Sequence, residues 1–196
     1  MEAFLLHGLM FKIVKFFQQP SSLRFGNVGF LFVRLGRFVE AHEHLDSART
    51  LFVALSDNGM IAQVDDTRAR AFLEQGRHAE AETVARGSIR VLEEGDEQSL
   101  LAEVLTTRGT ALARLRRNDE ALGILERAVK LAEQGGDPDG GGIAALTIVE
   151  ELGSIVPPAT LLKYYRDAES MLVRSQHPGI QMRLGECSRR ILSRVR

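Results

Sequence analysis

The sequence predicts an all-α fold, a right-handed solenoid of about four antiparallel helix pairs closed at each end by a further helix. Three observations predict it. A short motif recurs at one constant spacing, small and apolar residues inside each copy follow helical spacing, and proline is absent between Pro20 and Pro138. The 196 residues, 44% hydrophobic and 26% charged, suit one folded domain or a short repeat array and argue against intrinsic disorder.

The first predicted element is a helix within residues 1–19, from about Ala3 to Gln18, which covers the open end of the array. Its apolar stretch is interrupted at Lys12 and Lys15, well short of the roughly 20 residues that span a bilayer. Glu2 and the lack of a small-x-small cleavage site argue against a secretory signal. The alternatives for these residues are a membrane-surface helix, a dimerising helix that permits self-association, and a misassigned or truncated start.

The recurring motif occupies residues 35–41, 75–81 and 115–121, and the helix pairs are predicted at 22–57, 60–95, 97–135 and 140–175. In the first copy, Ala41, Leu45 and Ala48 are spaced i, i+4, i+7 and therefore share one helical face. The small residues Gly29, Ala69 and Gly109 recur in the first helices, and Ala41, Ala81 and Ala121 recur in the second helices. Small residues on both sides let two helices pack closely, and stacked pairs bury the face that one pair leaves exposed.

The segments between and after these helices carry weaker signals. Asn118 is a plausible N-cap for its helix. A fourth copy is in step at Leu161 and Ala168, but its first helix does not keep the pattern, and Gly140-Gly141-Gly142 is interpreted as a flexible turn with Asp139 capping the next helix.

The tail, residues 178–196, is predicted to form a capping helix. Its apolar stripe and its arginine-rich outer face are both visible in the sequence. The stripe consists of Ile180, Leu184, Cys187 and Ile191, and the arginines are Arg183, Arg189, Arg190, Arg194 and Arg196.

These motifs resemble the tetratricopeptide repeat family in its longer form of roughly 40 residues, over about residues 22–175. Arg116 departs from the family's turn glycine and Leu161 from its alanine. More specifically, the chain is similar to bacterial tetratricopeptide proteins associated with transcriptional regulators, in which such an array often precedes a helix-turn-helix segment. This resemblance implies a non-catalytic protein–protein interaction module, and an enzyme and a cofactor are not expected.

Little in the sequence suggests chemistry. A net charge of −1 excludes a global field for nucleic acid, although residues 163–196 carry 8 basic and 3 acidic side chains, a net of +5. His42 and His44 lie about 200° apart on a helix, so they are interpreted as solvated residues rather than metal ligands. The lone Cys187 excludes an intrachain disulfide and fits a reducing, cytoplasmic location. It is interpreted as a half-buried helix residue, and the alternative is a thiol that neighbouring arginines make reactive.

The resemblance implies that first helices line a concave face and contact the ligand there. By register, the predicted contact residues are Asn27, Arg34, Gln63, Asp66, Arg70, Glu74, Glu103, Thr106, Thr110 and Arg114. Asp66 and Arg70 are spaced i, i+4, which favours a pair. The family's lysine-based clamp for a C-terminal carboxylate is not matched, because Gly26, Asp66 and Thr106 align in its register and none of them is a lysine.

Mixed charges on this face favour a partner helix or extended segment with both charges and apolar anchors. The alternatives are a nucleic-acid-linked regulator, a small-molecule sensor and a self-assembling module.

Overall fold

A computed structural model describes residues 21–176 and 179–195. Within these ranges the chain forms nine α-helices and no strand, which confirms the all-α solenoid prediction. The helices are α1 (Ser21–Arg34), α2 (Phe38–Ala54), α3 (Asn58–Glu74), α4 (His78–Leu92), α5 (Gln98–Arg114), α6 (Asn118–Gln134), α7 (Pro138–Leu152), α8 (Pro158–Leu172) and α9 (Ile180–Val195). The predicted helix of residues 1–19 lies outside the described residues.

The helices pack as consecutive antiparallel pairs, α1 with α2, α3 with α4, α5 with α6 and α7 with α8, and each pair stacks on the next. Successive first helices also contact one another, α1 with α3, α3 with α5 and α5 with α7. The second helices of neighbouring pairs make no such contact within the described ranges. The first helices are therefore the closer set and form the inner, concave side of the array.

Small residues set the spacing inside the pairs. Ala41, Ala81 and Ala121 are fully buried in the second helices. A Cβ built on Gly109 would lie 2.5 Å from Cγ of Leu125, closer than real Cβ atoms come to a neighbour. The glycine in α5 thus admits the leucine of α6, and the apolar cluster around Leu125 continues into α7, α8 and α9.

The turns within the first three pairs share one construction. Gly36 and Gly76 have φ of 71° and 72°, and Arg116 adopts the same left-handed conformation at 63°. Helix α6 begins at Asn118, and Arg117 occupies the N-cap position without a side-chain capping bond, so the prediction that Asn118 caps this helix is wrong. Instead, Nε of Arg117 donates to Glu120 one turn later, at 2.7 Å. The same arginine–glutamate pair occurs at Arg37 and Glu40 and at Arg77 and Glu80.

The fourth pair differs from the sequence prediction at its start. Asp137 caps α7 by accepting a hydrogen bond from the backbone N–H of Gly140 at 2.9 Å, and Pro138 occupies the first turn. The three glycines therefore lie inside the helix, and the interpretation of a flexible turn capped by Asp139 is wrong. A Cβ on Gly142 would lie 2.5 Å from Cγ of Leu172, so the backbone of α7 passes close to α8.

Helix α9 packs on α7 and α8 at the end of the array. All four residues of the predicted apolar stripe are buried. Arg183 is not on an outer face: its Nε and Nη2 donate to the two carboxylate oxygens of Glu150 in α7, at 2.8 and 2.7 Å.

No helix in the described part of the chain is both long and apolar enough to cross a membrane.

Candidate binding groove

The concave side carries the predicted contact residues on α1, α3 and α5. They differ in exposure, which decides what each can offer a ligand. The exposed residues are Asn27, Arg34, Gln63, Glu74, Glu103 and Arg114; Arg70, Thr106 and Thr110 are half-buried; Asp66 is buried.

Arg70 lies at the centre of this face between two carboxylates. Its Nε is 2.7 Å from Oδ2 of Asp66, one turn earlier in α3, which is the predicted i, i+4 pair. Its Nη2 also bonds to Glu103 of α5, in the next repeat. Burial lowers the pKa of Arg70, but the two carboxylates raise it more, so this pKa lies above its usual value. The guanidinium is therefore already committed to protein partners.

Asp66 is a buried carboxylate with only one of its oxygens in a hydrogen bond. The residue is 3% exposed, and Oδ1 has no hydrogen-bond partner. Buried polar atoms without a partner are rare because each costs free energy of desolvation. Asp66 is one of the residues that line a cavity of about 200 Å³, the central cavity. The cavity is lined by Asn27, Phe30, Met60, Gln63, Val64, Asp66, Thr67, Arg70 and Glu103.

A second opening of about 460 Å³, the acidic cleft, lies next to the central cavity and shares Met60, Gln63 and Glu103 with it. Its other lining residues include the carboxylates at the N-terminal ends of α3, α5 and α7, and no lysine or arginine belongs to the lining that the structure describes. These carboxylates are Asp57, Glu97 and Asp137. Asp57 and Asp137 accept backbone N–H groups at 3.0 and 2.9 Å as helix caps.

The structure gathers five of the ten predicted residues around the central cavity: Asn27, Gln63, Asp66, Arg70 and Glu103. The other five lie outside its lining. Arg114 is paired with Glu151 of α7, with Nη2 2.8 Å from Oε1. The hydroxyls of Thr106 and Thr110 donate to backbone carbonyls within α5, at 2.9 and 3.0 Å. Arg34 and Glu74 are exposed near the C-terminal ends of their helices.

Sequence analysis missed the apolar wall of Phe30, Met60 and Val64 and the acidic cleft. The cleft did have a signal, because Asp57, Glu97 and Asp137 recur at the same spacing as the repeat motif itself. The apolar wall had no comparable signal, since helical periodicity assigns such residues to the core.

The sequence suggested that His42 and His44 are solvated, but both are half-buried and lie against phenylalanine rings. His44 stacks on Phe32 with ring centroids 5.2 Å apart, and His42 lies against Phe72 with centroids 4.8 Å apart. Burial, with the positive charges of Arg68 and Arg77, lowers the pKa of His42 below its usual value. Among the residues whose positions are given, no group of three or more His, Cys, Asp or Glu is arranged to hold a metal ion.

Cys187 is a buried residue of α9, and the alternative of a reactive thiol is not supported. The side chain is buried, and this burial raises its pKa to about 11 despite the nearby arginines. Glu150 and Glu151 face different partners, Arg183 and Arg114 respectively, so they form two ion pairs rather than a paired-carboxylate site.

A third cleft, of about 380 Å³, lies between the second helices α2 and α4 with α3 beneath them. Its charges are paired with protein groups: Arg49 with Asp65 at 3.0 Å and Arg68 with Asp46 at 2.6 Å. It therefore presents a more neutral surface than the groove of the first helices.

Comparison with known proteins gives one family match. Residues 60–134 match the model of the tetratricopeptide repeat, and this range covers most of α3 and all of α4, α5 and α6. No curated protein matches the chain.

Proposed function

We propose that the chain, which matches the tetratricopeptide repeat model over residues 60–134, binds a peptide or helix of a partner protein in the concave groove of α1, α3, α5 and α7. Tetratricopeptide repeats generally mediate protein–protein interactions and are typically non-enzymatic. The proposal adds the face that is used and the kind of ligand it holds.

One observation carries the proposal: the central cavity and the acidic cleft lie side by side on the inner face and share three lining residues. Together they form an elongated surface that crosses α3 and α5. It combines an apolar wall with polar and charged groups, the combination that anchors amphipathic segments. An elongated, open site suits a chain segment better than a compact small molecule, since small-molecule sites enclose most of their ligand.

The alternatives have less support. Binding of nucleic acid has less support because the groove is acidic and would repel phosphates. In the basic tail, Arg183 and Arg190 both donate hydrogen bonds to Glu150, which reduces the positive charge that the tail offers to a ligand. We also propose that the protein acts in a bacterial regulatory system, on the basis of its resemblance to tetratricopeptide proteins associated with transcriptional regulators. The single cysteine supports the further proposal of a cytoplasmic location. Self-assembly through residues 1–19 is tested by measuring the mass of the protein in solution.

Site-specific photo-crosslinking tests the groove. A benzoylphenylalanine at Gln63, exposed on α3, should crosslink a discrete partner in cells, because this residue lines both openings. The same group at Glu133, exposed on the second helix α6, is the control. Crosslinks to the same partner from both positions with equal yield, or from Glu133 alone, would contradict binding in the groove.

A further inference from the structure

We propose that the groove selects a basic segment, and that a lysine or arginine side chain of this segment enters the central cavity and pairs with the buried carboxylate of Asp66. The inference rests on the proposed function and specifies the chemistry of its ligand. It replaces the expectation of a ligand with both charges by one in which positive charge dominates.

The first support is the unmet hydrogen bond. A carboxylate is acceptor-only, and Asp66 uses Oδ2 for Arg70 while Oδ1 has no partner. Nε and Nη2 of Arg70 are held by Asp66 and Glu103, so these two carboxylates surround one guanidinium. An ammonium or guanidinium from a ligand supplies a further donor that carries the opposite charge to them.

The second support is the shape and polarity of the cavity. Phe30, which is 46% exposed, forms an apolar wall with Met60 and Val64 next to the buried carboxylate. Lysine and arginine carry a charged head on a methylene stem and commonly lay that stem along apolar surface. A cavity of about 200 Å³ that combines this apolar wall with a buried carboxylate suits a single such side chain.

The third support is charge. The two openings together contain five carboxylates and one guanidinium, a net formal charge of −4. A cleft lined by one sign of charge attracts and orients the opposite charge.

The test is selection from a displayed library of random dodecapeptides on the full chain. We expect enrichment of lysine and arginine next to apolar residues. For the best peptide, Asp66→Asn and Glu97→Gln should each weaken binding, Asp66→Asn by at least about tenfold, since truncating one partner of a buried charge pair is costly. Glu133→Gln, on the outer helix α6, is the matched control and should leave the affinity unchanged. Circular dichroism melting checks that each variant is folded.

A second test changes the peptide instead of the protein: the lysine that matters most for binding is replaced by norleucine, which keeps the methylene stem and removes the charge. Because the protein is unchanged, this test still shows whether the positive charge is needed if Asp66→Asn impairs folding. An unchanged affinity for the norleucine peptide overturns the inference. Neutral or acidic peptides that lose binding with Gln63→Trp also overturn it, but leave the proposed groove in place. Peptides that bind equally well to wild type and Gln63→Trp overturn the proposed function as well.

Discussion

Removing Arg70 tests whether the charge pair in the groove supports the fold. Its Nε lies 2.7 Å from Oδ2 of Asp66, and the other oxygen of Asp66 has no partner. Arg70→Ala removes the guanidinium and therefore leaves the buried carboxylate of Asp66 without its cationic partner. Replacing an arginine on a fully exposed helix face would change stability little. For Arg70→Ala, in contrast, the structure predicts a clear loss of folding stability.

The expected loss follows from burial on the two sides of the pair. Breaking a fully buried ion pair by removing one partner costs about 3–5 kcal/mol. The Arg70 side chain is 42% exposed, so water reaches the site and screens part of this cost. Glu103 is half-exposed and adds less than about 1 kcal/mol. We therefore expect the free energy of unfolding to fall by about 2 kcal/mol, which lowers the melting temperature by about 4–8 °C in a chain of this size.

A double-mutant cycle with urea unfolding measures the pair directly. Arg70→Ala, Asp66→Ala and the double variant are compared with the wild type by circular dichroism. The double variant should be more stable than the sum of the single losses predicts, by at least about 1 kcal/mol, because it leaves no unpaired charge. Arg166→Ala, exposed on α8, is the control for loss of a surface arginine and should change stability by less than about 0.5 kcal/mol. An Arg70→Ala variant with the wild-type urea midpoint, or additive losses in the cycle, would refute the structural role of this pair.

Three further predictions concern single side chains. Arg116→Gly should stabilise the protein by about 1 kcal/mol in urea unfolding, because Arg116 has φ of 63° and glycine adopts this conformation without strain; a lower urea midpoint would contradict this. The pKa of His42 in the folded protein is lowered from 6.5, so below about pH 6.5 the unfolded chain binds more protons than the folded chain and stability falls. Between about pH 7.5 and pH 5, the melting temperature of His42→Gln should therefore fall less than that of the wild type. An equal fall in both proteins would show that His42 is not a cause of the pH dependence. Cys187 should resist iodoacetamide at about pH 8 until the protein is denatured, since burial raises its pKa to about 11; fast labelling of the native protein, followed by mass spectrometry, would show an accessible thiolate.

The repeat architecture was predictable because its signals are local. Helical spacing places Ala41, Leu45 and Ala48 on one face, and all three are buried. The start of α7 was not predictable in the same way. Glycine has a low helix propensity, so three in a row indicate a turn. Capping by Asp137 and close packing of Gly142 on Leu172 stabilise the helix there, and the second of these depends on a separate helix, α8, later in the chain.

The candidate site also has features that the sequence predicts and features that depend on tertiary contacts. The sequence by itself determined that Asp66 and Arg70 are neighbours, because residues four apart on a helix always share a face. Only the tertiary structure decided that Asp66 is buried, that Glu103 of the next repeat shares Arg70, and that Arg114 and Arg183 are taken by Glu151 and Glu150. The physical reason is that the state of a charged side chain depends on solvent access and on all donors and acceptors around it. Those neighbours come from stacked repeats that are distant from one another in the sequence, and the curvature of the array brings them together.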